Sequence, residues 1–296
     1  MTPVGRWLDA RATSRAVAIA FGNERFTYRE LAEDVARLAA WLQRELPPGA
    51  RIAWLAHNTP EQLTLLLACA RAGCTLVPLN WRLTSREIEE LLADAAPSLI
   101  VVDAHCAVLY TEAMRALCGD RVMSLRDPAS GFDDFRTSAR DATAVVMDAA
   151  DPDTPLLLVY TSGTTGKAKG SVLTQAAIAA NAANAHDMHA MTAEDVILTT
   201  LPMFHVGGLN IQTLPALACV ARVLLHPRFD AGDTLAAIAR DQPTLTVQVP
   251  ATLQALLAPP AWSSTPLHSL RAVAAGSTDV PIALIDAIHA RGVPVI

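Results

Sequence analysis

Short apolar segments alternate with longer amphipathic segments along the first hundred residues. The apolar segments lie at 51–56, 76–79 and 99–102. Their length and apolar character are typical of buried strands. The segments between them carry helix-start signals, with capping boxes at Thr27 and Thr84 and a proline directly after Thr59. Strands that alternate with helices through short connections predict a parallel sheet with helices packed against it.

The same alternation returns in the second half of the chain. Predicted strands lie at 156–159, 172–173, 196–198, 223–225, 245–249 and 270–275, and predicted helices at 176–189, 234–240 and 280–290. Between 126 and 155 the pattern gives way to polar residues and proline, which indicates a linker. We therefore expect two α/β subdomains, 1–150 and 151–296. A further apolar segment begins at Val293 and the chain stops inside it, so the sequence favours a truncated chain.

The composition narrows the classes of function. With 52% hydrophobic and 18% charged residues, a chain of 296 residues can bury a large core. Its net charge of -6 and its lack of a Lys/Arg-rich segment exclude a nucleic-acid-binding surface. The uncharged stretch between Asp195 and Arg222 is interrupted by prolines and glycines, so we do not expect a transmembrane helix there.

Cysteine usage and the N-terminus both bear on the cellular compartment. The five cysteines are odd in number and lie mostly among apolar residues, and Cys69 and Cys74 have no histidine or further cysteine at metal-binding spacing. This pattern predicts buried, reduced thiols. No apolar signal core follows the first methionine, so we expect a cytoplasmic protein.

One loop carries most of the candidate chemistry. An apolar segment leads into the sequence Thr161-Ser162-Gly163-Thr164-Thr165-Gly166-Lys167-Ala168-Lys169-Gly170. Glycines let backbone N–H groups approach phosphate oxygens, hydroxyls donate to those oxygens, and lysine adds charge-assisted hydrogen bonds. The loop is therefore a candidate polyphosphate site. The alternative is a Gly/Ser/Thr-rich surface turn between two strands.

The glycine spacing of this loop excludes the better-known nucleotide motifs. A Walker loop has four residues between its first glycine and its Gly-Lys pair, whereas Gly163 and Gly166 are separated by two. The sequence contains neither Gly-x-Gly-x-x-Gly nor Gly-x-Ser-x-Gly, so the dinucleotide-binding and α/β-hydrolase signatures are also missing. Ordinary kinases and hydrolases are therefore disfavoured.

The loop resembles the signature loop of the adenylate-forming superfamily, which includes acyl- and aryl-CoA synthetases, luciferases and peptide-synthetase adenylation domains. The segment 201–205 is similar to the superfamily's aromatic–histidine motif, and 77–83 is similar to an N-terminal block. The resemblance runs in register over nearly the whole chain. It implies the N-terminal part of the adenylate-forming fold, with two layered, largely parallel β-sheets flanked by helices (αβαβα), incomplete in this chain.

The resemblance implies a two-step reaction that uses ATP, Mg²⁺ and coenzyme A. A carboxylate attacks the α-phosphorus of ATP to give an acyl-adenylate and pyrophosphate, and a thiol then displaces AMP. Lys169 matches the motif lysine and is the expected catalytic residue. The residues expected to contact ATP are Thr161, Ser162, Gly163, Thr164, Thr165, Gly166 and Lys169 in the loop, and Gly276 and Ser277 further along the chain. Thr161 would also help to hold Mg²⁺.

The resemblance also places His205, Gly207 and Gly208 beside the acid. Amino-acid-activating members carry an aspartate at the position of His205, and an imidazole cannot pair with an α-ammonium group. We therefore expect the small-molecule partner to be a fatty or aryl acid without an α-amino group. Separately, we expect the protein to form a homodimer. Gly276 and Ser277 depart from the Gly-Gly-Ala segment that other members have here.

Members of the superfamily continue past the position of Ile296. Their further residues include a Mg²⁺-binding glutamate, a ribose-binding aspartate and a mobile domain that carries another catalytic lysine. We therefore expect the full-length enzyme to be active and this fragment alone to be inactive. Two alternatives stay open: a non-catalytic nucleotide- or acid-binding module derived from such an enzyme, and a structural α/β protein whose loop is incidental.

Overall fold

Two compact units make up the chain. The computed structural model describes residues 2–127, 129–139, 142, 151–161 and 168–296. The first unit comprises Met1–Ala16 and Thr27–Ala180, and the second comprises Val17–Phe26 and Asn181–Ile296. No helix within the described ranges is long and apolar enough to cross a membrane.

Strands and helices alternate through most of the described chain. The strands are β1 (Val17–Phe21), β2 (Glu24–Thr27), β3 (Arg51–Leu55), β4 (Thr75–Pro78), β5 (Leu99–Asp103), β6 (Val122–Leu125), β7 (Pro155–Thr161), β8 (Lys169–Thr174), β9 (Val196–Thr199), β10 (Arg222–Leu225), β11 (Leu245–Gln248) and β12 (Ala272–Ala275). The helices are α1 (Tyr28–Glu45), α2 (Pro60–Ala72), α3 (Ser85–Ala95), α4 (Glu112–Leu117), α5 (Phe135–Ser138), α6 (Gln175–His189), α7 (Val206–Asn210), α8 (Thr213–Ala218), α9 (Ala231–Asp241), α10 (Pro250–Leu257), α11 (Ala261–Ser264) and α12 (Ile282–His289). Short 3₁₀ turns lie at Val4–Arg6, Asp9–Arg11 and Ala107–Leu109.

Each unit is built on a six-stranded sheet. The first sheet has the order β6-β5-β3-β4-β7-β8, in which only the β7–β8 hairpin is antiparallel among the pairs described. The second has the order β12-β11-β9-β10-β1-β2, and the pairs from β12 to β1 are parallel. The predicted α/β fold with two largely parallel sheets flanked by helices is confirmed.

The compact units do not follow the boundaries 1–150 and 151–296 that the polar linker suggests. Pairing of β7 with β4, and of β8 with β7, joins these two strands to the first sheet. Pairing of β1 with β10 places an N-terminal strand in the second sheet. Long-range strand pairing, rather than order along the chain, therefore decides which unit holds these segments.

Local capping sets where the helices begin and end. The Thr27 hydroxyl accepts the backbone N–H of Glu30 at 3.2 Å, and the Glu30 carboxylate accepts the backbone N–H of Thr27 at 2.8 Å. Thr84 and Glu87 form the same reciprocal pair. Gly73 ends α2 with a φ of 71°, a left-handed conformation that suits glycine. Both predicted capping boxes and this helix end are confirmed.

The cysteines behave as the sequence predicts. All five are free, and all except the partly exposed Cys219 are buried. Burial raises the pKa of the Cys74 thiol to about 11 and that of the Cys118 thiol to about 12. These thiols therefore stay protonated at neutral pH, as buried structural cysteines do.

Gln175, a position without a predicted function, ties three segments of the first unit together. Its side chain is fully buried at the start of α6. The Oε1 atom accepts the backbone N–H of Gly5 at 3.2 Å, and the Nε2 atom donates to the Ala70 carbonyl at 2.8 Å. The amide therefore joins the N-terminal turn to the last turn of α2.

We expect Gln175→Leu to lower the free energy of unfolding by about 2–3 kcal/mol. The change leaves the N–H of Gly5 and the carbonyl of Ala70 buried without these partners, and an unsatisfied buried polar group costs about 1–3 kcal/mol. Urea unfolding measures the difference. Gln254→Leu is the control, since Gln254 is exposed on α10 and its replacement should change stability by less than about 0.5 kcal/mol. Equal effects of the two changes would contradict the assignment.

A charged network in the second unit lies next to a buried histidine. Arg271 donates to the Asp195 carboxylate at 2.9 Å and to the His189 carbonyl at 3.2 Å. The His189 ring is buried, and neither ring nitrogen has a hydrogen-bond partner in the described part of the chain. Burial, and then the Arg271 charge, lower the pKa of His189. The fold therefore favours the neutral imidazole.

We expect this histidine to make the protein less stable as the pH falls from 7 to 5. In the unfolded chain the ring takes up a proton below a pH of about 6.5, whereas the folded state keeps it neutral to lower pH. The unfolded state then binds more protons, so the stability present above that pH is lost as the pH falls. Urea unfolding at several pH values should show a smaller loss in His189→Phe. His268→Phe, at an exposed position, should lose as much stability between pH 7 and 5 as the wild type does. If His189→Phe also loses as much stability as the wild type over this range, the explanation is refuted.

Candidate functional site

The predicted phosphate-binding loop joins β7 to β8. Thr161 and Lys169 face each other in the register of this hairpin, and the Thr161 hydroxyl donates to the Lys169 carbonyl at 3.5 Å. The Lys169 side chain is exposed. Other predicted loop residues lie outside the described residues: Ser162, Gly163, Thr164, Thr165 and Gly166. The hairpin therefore sets two of the predicted residues side by side where the loop begins and ends.

Tyr160 fixes the base of this loop. Its hydroxyl donates to Asp94 Oδ2 on α3 at 2.7 Å. Burial, and then the hydrogen bond to Asp94, raise the pKa of the Tyr160 phenol, so the donor keeps its proton at neutral pH. Tyr160 is opposite Gly170, where an added Cβ would lie 2.7 Å from Leu158 and 3.3 Å from the Tyr160 ring. Glycine at this position lets the two strands and the ring pack closely.

The motif histidine caps a short helix in the second unit. His205 precedes α7, and its Nδ1 atom accepts the backbone N–H of Gly207 at 3.0 Å. In a neutral imidazole with Nδ1 as the acceptor, the proton is on Nε2. The side chain is exposed, so Nε2–H is a donor available to a ligand. This hydrogen bond links two of the residues that the resemblance places beside the acid.

Gly208 is held against the backbone that precedes the motif histidine. An ideal Cβ on Gly208 would lie 2.3 Å from the Pro202 carbonyl oxygen and 2.7 Å from the Leu201 carbonyl oxygen. The Gly208 carbonyl accepts the Thr213 hydroxyl at 2.7 Å, and Thr213 shares a second 2.7 Å hydrogen bond with Thr199. Gly208 therefore allows the close approach that positions the His205 turn at the end of β9.

Gly276 and Ser277 directly follow β12 at the carboxyl edge of the same sheet. Because β9 and β12 both run parallel to β11, the turn that contains His205 also leaves this edge. Among the described residues, no heavy atom lies within 4 Å of an ideal Cβ on Gly276. Ser277 has a φ of 77°, an uncommon conformation for a residue other than glycine. Ligands of open α/β sheets bind outside such carboxyl edges.

The sequence does not predict two polar groups that lie near these positions. Asp94 belongs to the polar face of α3, and only the hairpin brings it to Tyr160. Gln248 is fully buried at the end of β11, where its Nε2 donates to Thr246 at 3.0 Å and to Thr200 at 3.4 Å. The alternation of polar and apolar residues could have marked Gln248 as a polar residue on a buried strand, but its partners are not readable from the sequence.

The chain matches one protein family over almost its whole length. The family is described as AMP-binding enzyme, and the match covers residues 7–296. An indoleacetate–CoA ligase of Aromatoleum aromaticum is 44% identical over 99% of this chain and 58% of its own length. A feruloyl-CoA synthase of an Amycolatopsis species is 35% identical over 98% of this chain and 57% of its own length. The chain therefore spans a little over half the length of these relatives.

Solved structures agree in fold. The inhibitor-bound N-terminal domain of FACL13 from Mycobacterium tuberculosis superposes with a TM-score of 0.89 at 27% identity, over 100% of this chain and 75% of that one. ATP-bound MatB from Rhodopseudomonas palustris gives a TM-score of 0.85 at 27% identity, over 98% of this chain and 57% of that one. With the family match over 7–296, these similarities establish that the chain belongs to the AMP-binding enzyme family.

Proposed function

We propose that the whole protein is an AMP-forming acid–thiol ligase that activates an aryl carboxylic acid. The observation that carries this proposal is the 44% identity to an indoleacetate–CoA ligase across 99% of the chain. The 35% identity to a feruloyl-CoA synthase supports the same substrate class. Both names denote acids that carry an aromatic ring.

In the proposed first step, a carboxylate oxygen of the acid attacks the α-phosphorus of ATP, and the bond to the β-phosphate oxygen breaks to release pyrophosphate. In the second step the sulfur of coenzyme A attacks the acyl carbon, the thiol loses its proton, and AMP leaves. The activation is needed because AMP is a far better leaving group than a carboxylate oxygen.

The loop would serve the first step by holding the β- and γ-phosphates. We assign phosphate contacts to Ser162, Gly163, Thr164, Thr165 and Gly166 by their place in the motif. Lys169 would add positive charge where negative charge builds up on the departing pyrophosphate. Its exposed side chain at the loop end of the hairpin, opposite Thr161, supports this role.

Mg²⁺ would accompany ATP in this reaction. Thr161 offers one hydroxyl oxygen, which suits an ion that takes most of its ligands from phosphate oxygens and water. When bound, the ion would neutralise phosphate charge. The chain's own contribution would be to place the hydroxyl of Thr161 at the first residue of the loop.

The acid would lie at the carboxyl edge of the second sheet. His205 Nε2–H would donate to the carboxylate or the acyl oxygen, while Gly207 holds the ring through its N–H. Gly208 would keep this turn against the sheet, and Gly276 and Ser277 would line the nucleotide and acyl side. A homodimer and a cytoplasmic location remain predictions of the sequence.

A matched panel of acids tests the proposed substrate class. Pyrophosphate release by the whole protein would be measured with indole-3-acetate, ferulate, octanoate, indole-3-propionate and tryptophan. We expect the first two to exceed octanoate in kcat/KM by about tenfold or more, a difference of about 1.4 kcal/mol. Tryptophan differs from indole-3-propionate only by its α-amino group and should be the poorer substrate. Preference for octanoate would overturn the aryl assignment, and no release with any acid would overturn the ligase proposal.

A further inference from the structure

Three side chains with metal-binding chemistry meet at the carboxyl edge of the first sheet. Strands β3 and β5 are parallel neighbours, and Leu55 is in register with Val102. The residues that follow these strands therefore emerge side by side. Asp103 ends β5, His57 lies two residues beyond the end of β3, and Cys106 lies in the turn after Asp103.

Backbone hydrogen bonds fix the carboxylate at the centre of this group. Asp103 Oδ2 accepts the backbone N–H of His57 at 2.9 Å, and Oδ1 accepts the backbone N–H of Cys106 at 2.7 Å. Each carboxylate oxygen has a further lone pair. The backbone of the two other residues therefore holds the carboxylate in place, and its remaining lone pairs can still bind a ligand.

The three donor atoms are close to one another. One ligand atom each of His57, Asp103 and Cys106 lies within 4.8 Å of the other two, and His57 Nδ1 is 3.6 Å from Asp103 Oδ2. Asp103 and Cys106 are buried and His57 is half-buried, so the imidazole forms the more accessible side of the cluster. The donors of a tetrahedral zinc ion are about 3.3–3.8 Å apart, so side-chain movements of about 1 Å would complete the geometry.

The donor types select among metal ions. Thiolate and imidazole favour zinc and other borderline or soft cations, whereas magnesium and calcium prefer oxygen ligands alone. Burial, and then the Asp103 charge, raise the pKa of the Cys106 thiol, so the thiol keeps its proton when no metal is bound. A zinc ion must displace that proton.

Two aromatic side chains, Trp81 and His105, lie beside His57, and one of them is a further metal-binding side chain. The His57 ring lies 4.5 Å from the Trp81 ring and 5.0 Å from the His105 ring, measured between centroids. Trp81 limits access of water to one side of the imidazole. The exposed imidazole of His105 or a water molecule would fill the fourth position of a tetrahedral site.

We propose that His57, Asp103 and Cys106 bind one zinc ion at this edge of the first sheet. The zinc–sulfur bond forms as the Cys106 S–H bond breaks, and the proton passes to the solvent. The site is independent of the proposed ligase function, because none of its three ligands belongs to the predicted ATP or acid residues.

Cobalt is the probe for this site, since tetrahedral Co²⁺ bound to a thiolate absorbs in both the near-ultraviolet and the visible range. The 296-residue chain, freed of metal and kept reduced, would be titrated with Co²⁺. We expect one equivalent of Co²⁺ to bind with release of one proton and with a sulfur-to-cobalt charge-transfer band. Zn²⁺ should then displace the Co²⁺ and remove the band. Cys106→Ser should abolish the band. Cys118→Ser, which alters another buried thiol of the same unit, should keep it.

A second variant keeps the test decisive if Cys106→Ser fails to fold. His57→Gln changes a half-buried ring, and circular dichroism would check its fold. We expect its zinc affinity to fall by about tenfold or more. Zinc should raise the melting temperature of the wild type more than that of His57→Gln. A missing charge-transfer band, a band that survives in folded Cys106→Ser, or unchanged zinc affinity in His57→Gln would overturn the proposal.

Discussion

Gly208→Ala is expected to lower the free energy of unfolding by about 3 kcal/mol. The added Cβ would lie 2.3 Å from the Pro202 carbonyl oxygen and 2.7 Å from the Leu201 carbonyl oxygen. Both are backbone atoms, so the clash cannot be relieved by rotating a side chain. The start of α7 would have to move away from the end of β9, and overpacking of this kind typically costs about 1–3 kcal/mol or more. Urea unfolding of the 296-residue chain measures the loss.

The matched control for this change is Gly276→Ala. An ideal Cβ there meets no heavy atom within 4 Å in the described part of the chain, so its stability should change by less than about 0.5 kcal/mol. The comparison separates close packing from a general intolerance of alanine at glycine positions. Equal stabilities of the two variants would mean that α7 does not depend on the close approach at Gly208.

The second large effect is expected for Lys169→Ala in the whole protein. Loss of the ammonium group removes positive charge from the foot of the proposed phosphate loop, where pyrophosphate would leave. We expect the rate of acid-dependent pyrophosphate formation to fall by about 100-fold or more, the cost typical of one preorganised electrostatic group. Because the side chain is exposed, the melting temperature should not change. Steady-state kinetics with varied MgATP would separate effects on kcat and KM.

Lys167→Ala is the control in the same loop. Lys167 is not among the residues that the resemblance assigns to ATP, so this variant should lose less than about tenfold of the activity. Wild-type activity in Lys169→Ala, or an equal loss in both variants, would contradict the specific assignment to Lys169. A loss of folding in Lys169→Ala would contradict the placement of the side chain on the surface.

The sequence predicts best those features that depend on neighbouring residues. The capping boxes at Thr27 and Thr84 and the left-handed Gly73 are local devices, and each is where the sequence places it. The sequence does not place β1 in the second sheet, because its partner β10 lies about two hundred residues further along the chain, with Ile19 opposite Val223. No feature of the residues near β1 in the sequence indicates this pairing.

The same distinction applies to the candidate site. The hydroxyl- and glycine-rich motif predicts the β7–β8 loop, and the register places Thr161 opposite Lys169. The pair formed by Tyr160 and Asp94 depends on two elements that are far apart in sequence, so only the structure reveals it. Similarly, the Gly207-Gly208 dipeptide in the sequence does not indicate that Gly208 packs against two backbone carbonyl groups.

The central claim is that the whole protein activates a carboxylate as its adenylate. Isotope exchange between labelled pyrophosphate and ATP tests it most directly, because it detects a reversible adenylation before any thiol reacts. We predict exchange that requires indole-3-acetate or another aryl acid, proceeds without coenzyme A, and is suppressed in Lys169→Ala. Release of ADP and phosphate in place of exchange, or exchange at the same rate without any acid, would contradict the account.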